Sequence, residues 1–184
     1  MKKGILLSLM SLFFVVSMSG QKYFTRDGKI SFFSDTPLEK IEAHNSKATS
    51  VLDASNGNLE FAVLIKAFQF EKALMQEHFN ENYMESSKFP KSSFKGKVTN
   101  IKDINLKKDG EYNATVKGQL TIHGVTKDVE TTGKFVVAGG KISAKSAFNV
   151  AVADYNITIP AVVRDNIAKT VKIAVDIKFE ELKQ

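Results

Sequence analysis

The sequence predicts an all-β protein: one extended antiparallel barrel of about eight strands, with a single short helix and a hydrophobic cavity inside. Three observations predict it. Apolar and polar residues alternate with period two through most of the chain, Gly-containing dipeptides separate strands at hairpin spacing, and one amphipathic stretch, Glu71–Tyr83, interrupts the pattern before a Lys88-Phe89-Pro90 corner. The chain has no Cys. Without disulfides it depends on burial and backbone pairing, which a closed sheet supplies while leaving no unpaired edge.

Taken in order, residues 1–20 begin with Lys2 and Lys3, run through the apolar stretch Ile5–Val16 and end on Ser17, Ser19 and Gly20. This is the pattern of a secretory signal peptide, with cleavage expected before Gly20 or Gln21 and a periplasmic or secreted destination. Residues 21–184 then form one domain. Within it Lys29–Asp35, Ile41–Leu52 and Leu59–Phe70 read as strands, with Ser55-Asn56-Gly57-Asn58 as a turn. In the last of these, Leu59, Phe61, Val63 and Ile65 occupy odd positions and Phe68 and Phe70 even ones, so a bulge or bend is expected near Lys66–Ala67.

The C-terminal half alternates more regularly. Tyr112, Ala114, Val116, Gly118, Leu120 and Ile122 share one face of a strand, and His123-Gly124 has the length of a two-residue hairpin loop. Val129, Thr131, Gly133, Phe135 and Val137 follow on the next strand, Gly139-Gly140 makes a second tight turn, and Ile142, Ala144, Ser146, Phe148 and Val150 complete a meander. The final strand, with Val171, Ile173, Val175, Ile177 and Phe179 on one face, is expected to close the barrel.

Small residues recur at mid-strand on the inward face: Gly96, Gly118, Gly133, Ala144 and Ser146. Eight strands give a barrel that is either filled by side chains or just wide enough for one small ligand, and a small-residue belt favours the second. On that reading Gly118→Phe would fill the cavity without unfolding the chain; the alternative is that large residues from other strands occupy the space. The helix carries Leu74, Met75, His78, Phe79 and Asn82 on one face, suited to the barrel mouth either as an adaptable contact for an apolar ligand or as a plain plug. The loop Asp154–Thr170 gathers Tyr155, Ile157, Ile159, Val162 and Val163 around Pro160, and either lines an entrance or packs the open end. Arg164 and Asp165 at its far end are expected to form a local salt bridge, the alternative being contact with a polar headgroup.

Several chemistries find no support. The formal charge of +6, reduced to +4 when Lys2 and Lys3 leave, is dispersed and gives no basic face for nucleic acid. His44, His78 and His123 are far apart with no metal-ligand spacing, and His123 is expected to serve the hairpin turn. Glu77, Glu81 and Glu85 form one stripe, not the opposed pair that glycoside hydrolysis requires. No nucleophile elbow, phosphate loop, dinucleotide fingerprint or calcium loop is found. No catalytic residue, metal ligand or cofactor is assigned. An enzyme using Tyr155, His78 or Arg164 on a bound lipid, and a protein-interaction barrel or homodimer with outward Phe33 and Val136 clustered, stay open as alternatives.

Three blocks, MQEHFNENYMESSKFPKSSFKGKV at 75–98, GQLTIHGVTKDV at 118–129 and AFNVAVADYNITIP at 147–160, resemble the YceI-like family of exported, lipocalin-like barrels. The resemblance implies an elongated apolar tunnel and a polyisoprenoid or other long-chain amphiphile as ligand; transient membrane contact is left open by the mild positive charge alone. Carried over by position, it implies a tunnel bounded by Phe68, Phe70, Leu74, Met75, Phe79, Met84, Phe89 and Phe94, with Phe135, Phe148, Tyr155 and Ile157 in the C-terminal half; Phe61 and Gly118, taken from the inward strand pattern, complete the expected lining.

Overall fold

The computed structural model of the protein describes residues 21–183, so the segment read as a signal peptide lies outside the described residues. The strands are β1 Lys22–Asp35, β2 Lys40–Asp53, β3 Asn58–Leu64, β4 Gln69–Phe70, β5 Lys91–Val98, β6 Gly110–Ile122, β7 Val125–Ala138, β8 Lys141–Ala151 and β9 Thr170–Glu181. Eight of them close an antiparallel barrel in the order β1-β9-β8-β7-β6-β5-β3-β2, with β2 returning to β1. The two-residue β4 resumes the pairing of β3 with β2 after the intervening turn. One helix, α1 (Ala73–His78), continues into a wider π turn at Phe79–Tyr83.

Local chemistry explains most boundaries. His123 and Gly124 have φ of 49° and 74°, and Gly139 and Gly140 have 55° and 75°. Positive φ at both central residues is the hairpin turn whose twist matches the strands it joins. Between β2 and β3 the Asp53 carboxylate organises the turn, accepting from the Ser55 amide at 2.9 Å and from the Asn56 side chain at 3.1 Å. The phase change after Ile65 is a single 3₁₀ turn, Ile65–Ala67, after which the chain pairs again with β2 through β4. Asn45, almost wholly buried, closes the gap this leaves by donating to the Leu64 carbonyl at 2.8 Å. β1 starts at Lys22 rather than Lys29, because its register against β2 slips between Thr25, Gly28 and Ile30 and hides the alternation.

The two ends of the barrel are built differently. At one end, where β2 meets β3 and β7 meets β8, Ile101 and Ile104 enter from the β5–β6 connection and join Tyr23, Leu52, Leu59, Val98, Val137, Ile142 and Ile177 in a close-packed cluster. At the other end stand the β1–β2 turn, α1, the corner at 85–90, the β6–β7 hairpin and the long β8–β9 connection. The exterior carries cross-strand pairs such as Lys117–Glu130 and Lys145–Asp176, which keep it polar but add little stability. Phe33 and Val136 form no outward cluster: Phe33 on β1 meets the ring of His44, while Val136 sits on β7 opposite Glu111 and Ser143.

Candidate ligand cavity

Inside the barrel lies a cavity of about 550 Å³, walled by inward-facing residues of every long strand, by α1 and by the β8–β9 connection. Its volume falls within the ~300–1,000 Å³ common for small-molecule sites. The packed end is its floor, where Phe135 and Phe179 stack at 6.2 Å. The middle is lined by small or narrow residues: Ala114, Thr131, Gly133, Ala144 and Ser146. Period-two alternation places them there, and their size leaves the space open.

Near the mouth one wall is aromatic. The ring of Phe79 lies 5.3 Å from Phe32, 5.6 Å from Phe68 and 5.0 Å from Phe70. This cluster fixes the helix to β1 and to the bend after β3, and the Gln76 side chain adds a bond from the Phe70 amide at 3.3 Å. The opposite rim is held by polar bonds. The Asn166 amide donates to the Glu39 carboxylate at 3.1 Å, and the Ala168 backbone N–H donates to Ser34 Oγ at 2.8 Å.

Polar lining groups concentrate at this rim, in Glu39, Lys72, His78 and Asn166. Lys134 and Lys145 also border the cavity beside Gly133 and Ser146, with their ammonium groups outside in ion pairs to Glu111 and Asp176. Tyr83 faces the cavity, and burial pushes its phenol above the ordinary tyrosine value, so it stays neutral. Such a surface holds apolar matter by non-directional burial and orients it only at the rim.

Phe61, Phe68, Phe70, Leu74, Met75, Phe79, Met84, Phe94, Phe135, Phe148 and Ile157 all line this cavity. Phe89, Gly118 and Tyr155 do not. Phe89 packs under the β6–β7 hairpin, 4.6 Å from the His123 ring, with the Lys88 ammonium 4.9 Å from the Phe89 ring centre. Tyr155 is buried in the turn after β8, where burial and, to a lesser degree, Asp154 raise its phenol above the usual range. Its carbonyl meets His123 Nδ1 at 3.2 Å, while His123 Nε2 meets Glu85 at 2.8 Å. His123 thus ties the corner, the hairpin and the β8–β9 connection together.

Gly118 corrects the small-residue argument. It faces Gly96 across β5 and β6, and the Phe94 ring lies over the pair. A Cβ on Gly118 would fall 2.4 Å from the Lys95 carbonyl oxygen and 2.8 Å from Phe94. Gly118→Phe would therefore disrupt the wall instead of filling the cavity; Gly133 and Ser146 mark the unfilled space. Arg164 and Asp165 form no salt bridge among the described residues, and neither lines the cavity.

Sequence reasoning missed Ile41, Asn166 and Ile167 in the lining. Ile41 follows the alternation of β2, whereas Asn166 and Ile167 sit in a connection with no periodicity to reveal them. Among the described residues no group of His, Asp and Glu has the arrangement of a metal site, and no helix is long and apolar enough to cross a membrane. Of Tyr155, His78 and Arg164, only His78 reaches the cavity.

Residues 16–179 match the family described as YceI-like domain. No curated protein matches the chain. Among solved structures, a polyisoprenoid binding domain from Saccharophagus degradans implicated in plant cell wall breakdown superposes with a TM-score of 0.77 at 12% identity, over 89% of this chain and 99% of that one. BcnA of Burkholderia cenocepacia gives 0.67 at 14% identity over 83% and 96% of the two chains. The YCEI protein of Campylobacter jejuni gives 0.60 at 17% over 77% and 85%. These similarities show a shared fold.

Proposed function

We propose, for a chain that belongs to the YceI-like domain family, that the barrel is a non-enzymatic binding protein. It sequesters or carries a polyisoprenoid or similar long-chain amphiphile, outside the cytoplasm after removal of residues 1–20. The observation that carries the reading is the cavity: predominantly apolar, with hydroxyls such as those of Thr131 and Ser146 in its middle, closed at one end, and with Glu39, Lys72, His78 and Asn166 gathered at the other. The polyisoprenoid named for the Saccharophagus degradans domain supports the same ligand class. The tail lies along the barrel toward Phe135 and Phe179, and the headgroup stays at Glu39, Lys72, His78 and Asn166.

The energetics suit a carrier. Relative to water, each buried CH₂ favours the complex by about 0.8 kcal/mol, less the cost of ordering the chain. Relative to a bilayer the tail gains almost nothing, since lipid tails are as apolar as the cavity wall. Exchange between membrane and barrel is therefore close to balanced, and headgroup contacts set its direction.

Polyprenyl alcohols of graded length test this. Affinity should rise with chain length and then level off where the cavity is full. Ser146→Phe loses the hydroxyl's bonds to the Thr132 carbonyl at 2.7 Å and to Thr131 Oγ1 at 3.4 Å and projects a ring beside Gly133, so it should shorten the longest accepted chain while leaving the fold intact. Wild-type affinity for long chains in a folded Ser146→Phe protein would remove the cavity from the mechanism.

A further inference from the structure

The large apolar side chains exposed among the described residues are Leu38, Val51, Leu64, Leu74, Val162 and Leu182. The three most exposed, Val162 at 91%, Leu38 at 69% and Leu74 at 61%, belong to three separate elements around the cavity mouth. Leu38 lies in the β1–β2 turn beside the lining residue Glu39. Val162 lies in the 3₁₀ turn Ala161–Val163 beside the lining residue Val163. Leu74, on the first turn of α1, itself borders the cavity. The Glu39–Asn166 bond joins the segments bearing Leu38 and Val162, and the Phe79 cluster anchors the segment bearing Leu74. Leu64 ends β3 opposite Lys91 at the mouth side of the barrel but outside the cavity lining, and Val51 and Leu182 lie toward the packed end.

Exposed apolar tips continuous with an apolar cavity call for an apolar phase outside the mouth. The charges on the same segments identify how it is held. Lys40, Lys72, Arg164 and Lys169 stand against Asp35, Glu39, Glu71, Glu77, Glu81, Asp154 and Asp165, a negative excess that gives no attraction toward an anionic partner. We propose that the cavity mouth is a docking surface for a phospholipid bilayer, with Leu38, Leu74 and Val162 inserted at the headgroup level and the cavity opening onto the acyl chains. Apolar insertion, not charge, drives the contact. The purpose of the contact, moving a tail from membrane to barrel without exposing it to water, rests on the function proposed above; the contact itself does not.

Flotation with empty phosphatidylcholine vesicles reads the contact directly. The full-length mature protein should float with the vesicles, with little dependence on salt. Leu38→Ser combined with Val162→Ser, neither of which lines the cavity, should reduce flotation about tenfold or more. Val51→Ser combined with Leu182→Ser, at the other end, should float like wild type. The proposal is overturned if wild type stays with the soluble fraction, if it floats only with anionic vesicles, or if the two double variants behave alike. Polyprenyl alcohol uptake in detergent separates the two ideas: protein that floats but takes up no ligand keeps the docking surface and loses the ligand reading.

Discussion

At the packed end of the barrel, Ile101 and Ile104 come in from the β5–β6 connection and meet Leu52, Val98 and Ile177, each at most 2% exposed. At the mouth, Phe32, Phe68, Phe70 and Phe79 are equally apolar in kind, yet they meet one another along a single wall and leave the opposite side to Ile157, Val163 and Ile167 across open space. Both ends use ordinary core residues. The difference is whether a connecting segment reaches the barrel axis: the packed end satisfies its apolar surface internally and stabilises the fold, while the mouth keeps its surface available to a ligand.

Removing a side chain from the packed end should break the comparison most severely. Leu52→Ala should cost about 2–5 kcal/mol in denaturant unfolding, because a fully buried site with neighbours on all sides relaxes little. A cost below about 1 kcal/mol would show that this end is not the stabilising core. Phe79→Ala at the mouth should cost less, about 1–3 kcal/mol, since part of its ring already faces the cavity. Its larger signature is faster ligand release in stopped-flow displacement, because the helix loses its anchor; an unchanged release rate would separate the helix from gating.

His123→Ala removes the tie among the corner, the hairpin and the β8–β9 connection, and should cost about 1–2 kcal/mol, limited by the partly exposed Glu85. Amide exchange should accelerate around Tyr155 and Phe89 and stay unchanged at Leu52; uniform acceleration would contradict a local role.

The smallest effect is at Asp53, whose carboxyl the Ser55 hydroxyl holds below the ordinary aspartate value. A lowered folded value stabilises the fold above the unfolded value, and that contribution disappears as pH falls through the folded one. NMR titration should place the Asp53 midpoint below that of a free aspartate, and Ser55→Ala should move it up. No movement would leave the turn to its backbone bonds alone.

The alternation of β6, β7, β8 and β9 made the meander and the closing strand legible, and His123-Gly124 and Gly139-Gly140 named their own turns. The packed end was not legible: Ile101 and Ile104 belong to a connection with no period, and their burial depends on where β5 and β6 lead them. For the same reason Asn166 and Ile167 went unseen at the mouth. Gly118 shows a different limit. Periodicity assigns a residue to the inner face but cannot tell that a neighbouring ring, here Phe94, already covers it. Phe89 and Tyr155 carry the apolar character of lining residues, but the positive φ of Glu85 and Asn156 turns the chain beside each of them, and both end around His123.

Native mass spectrometry of the mature protein isolated without detergent from the cells that make it, followed by organic extraction, tests the central claim most directly. The account predicts one prenyl or comparable long-chain lipid per barrel, replaced by a shorter one or lost in the Ser146→Phe variant. An empty barrel that also refuses polyprenyl alcohols of every length would contradict it.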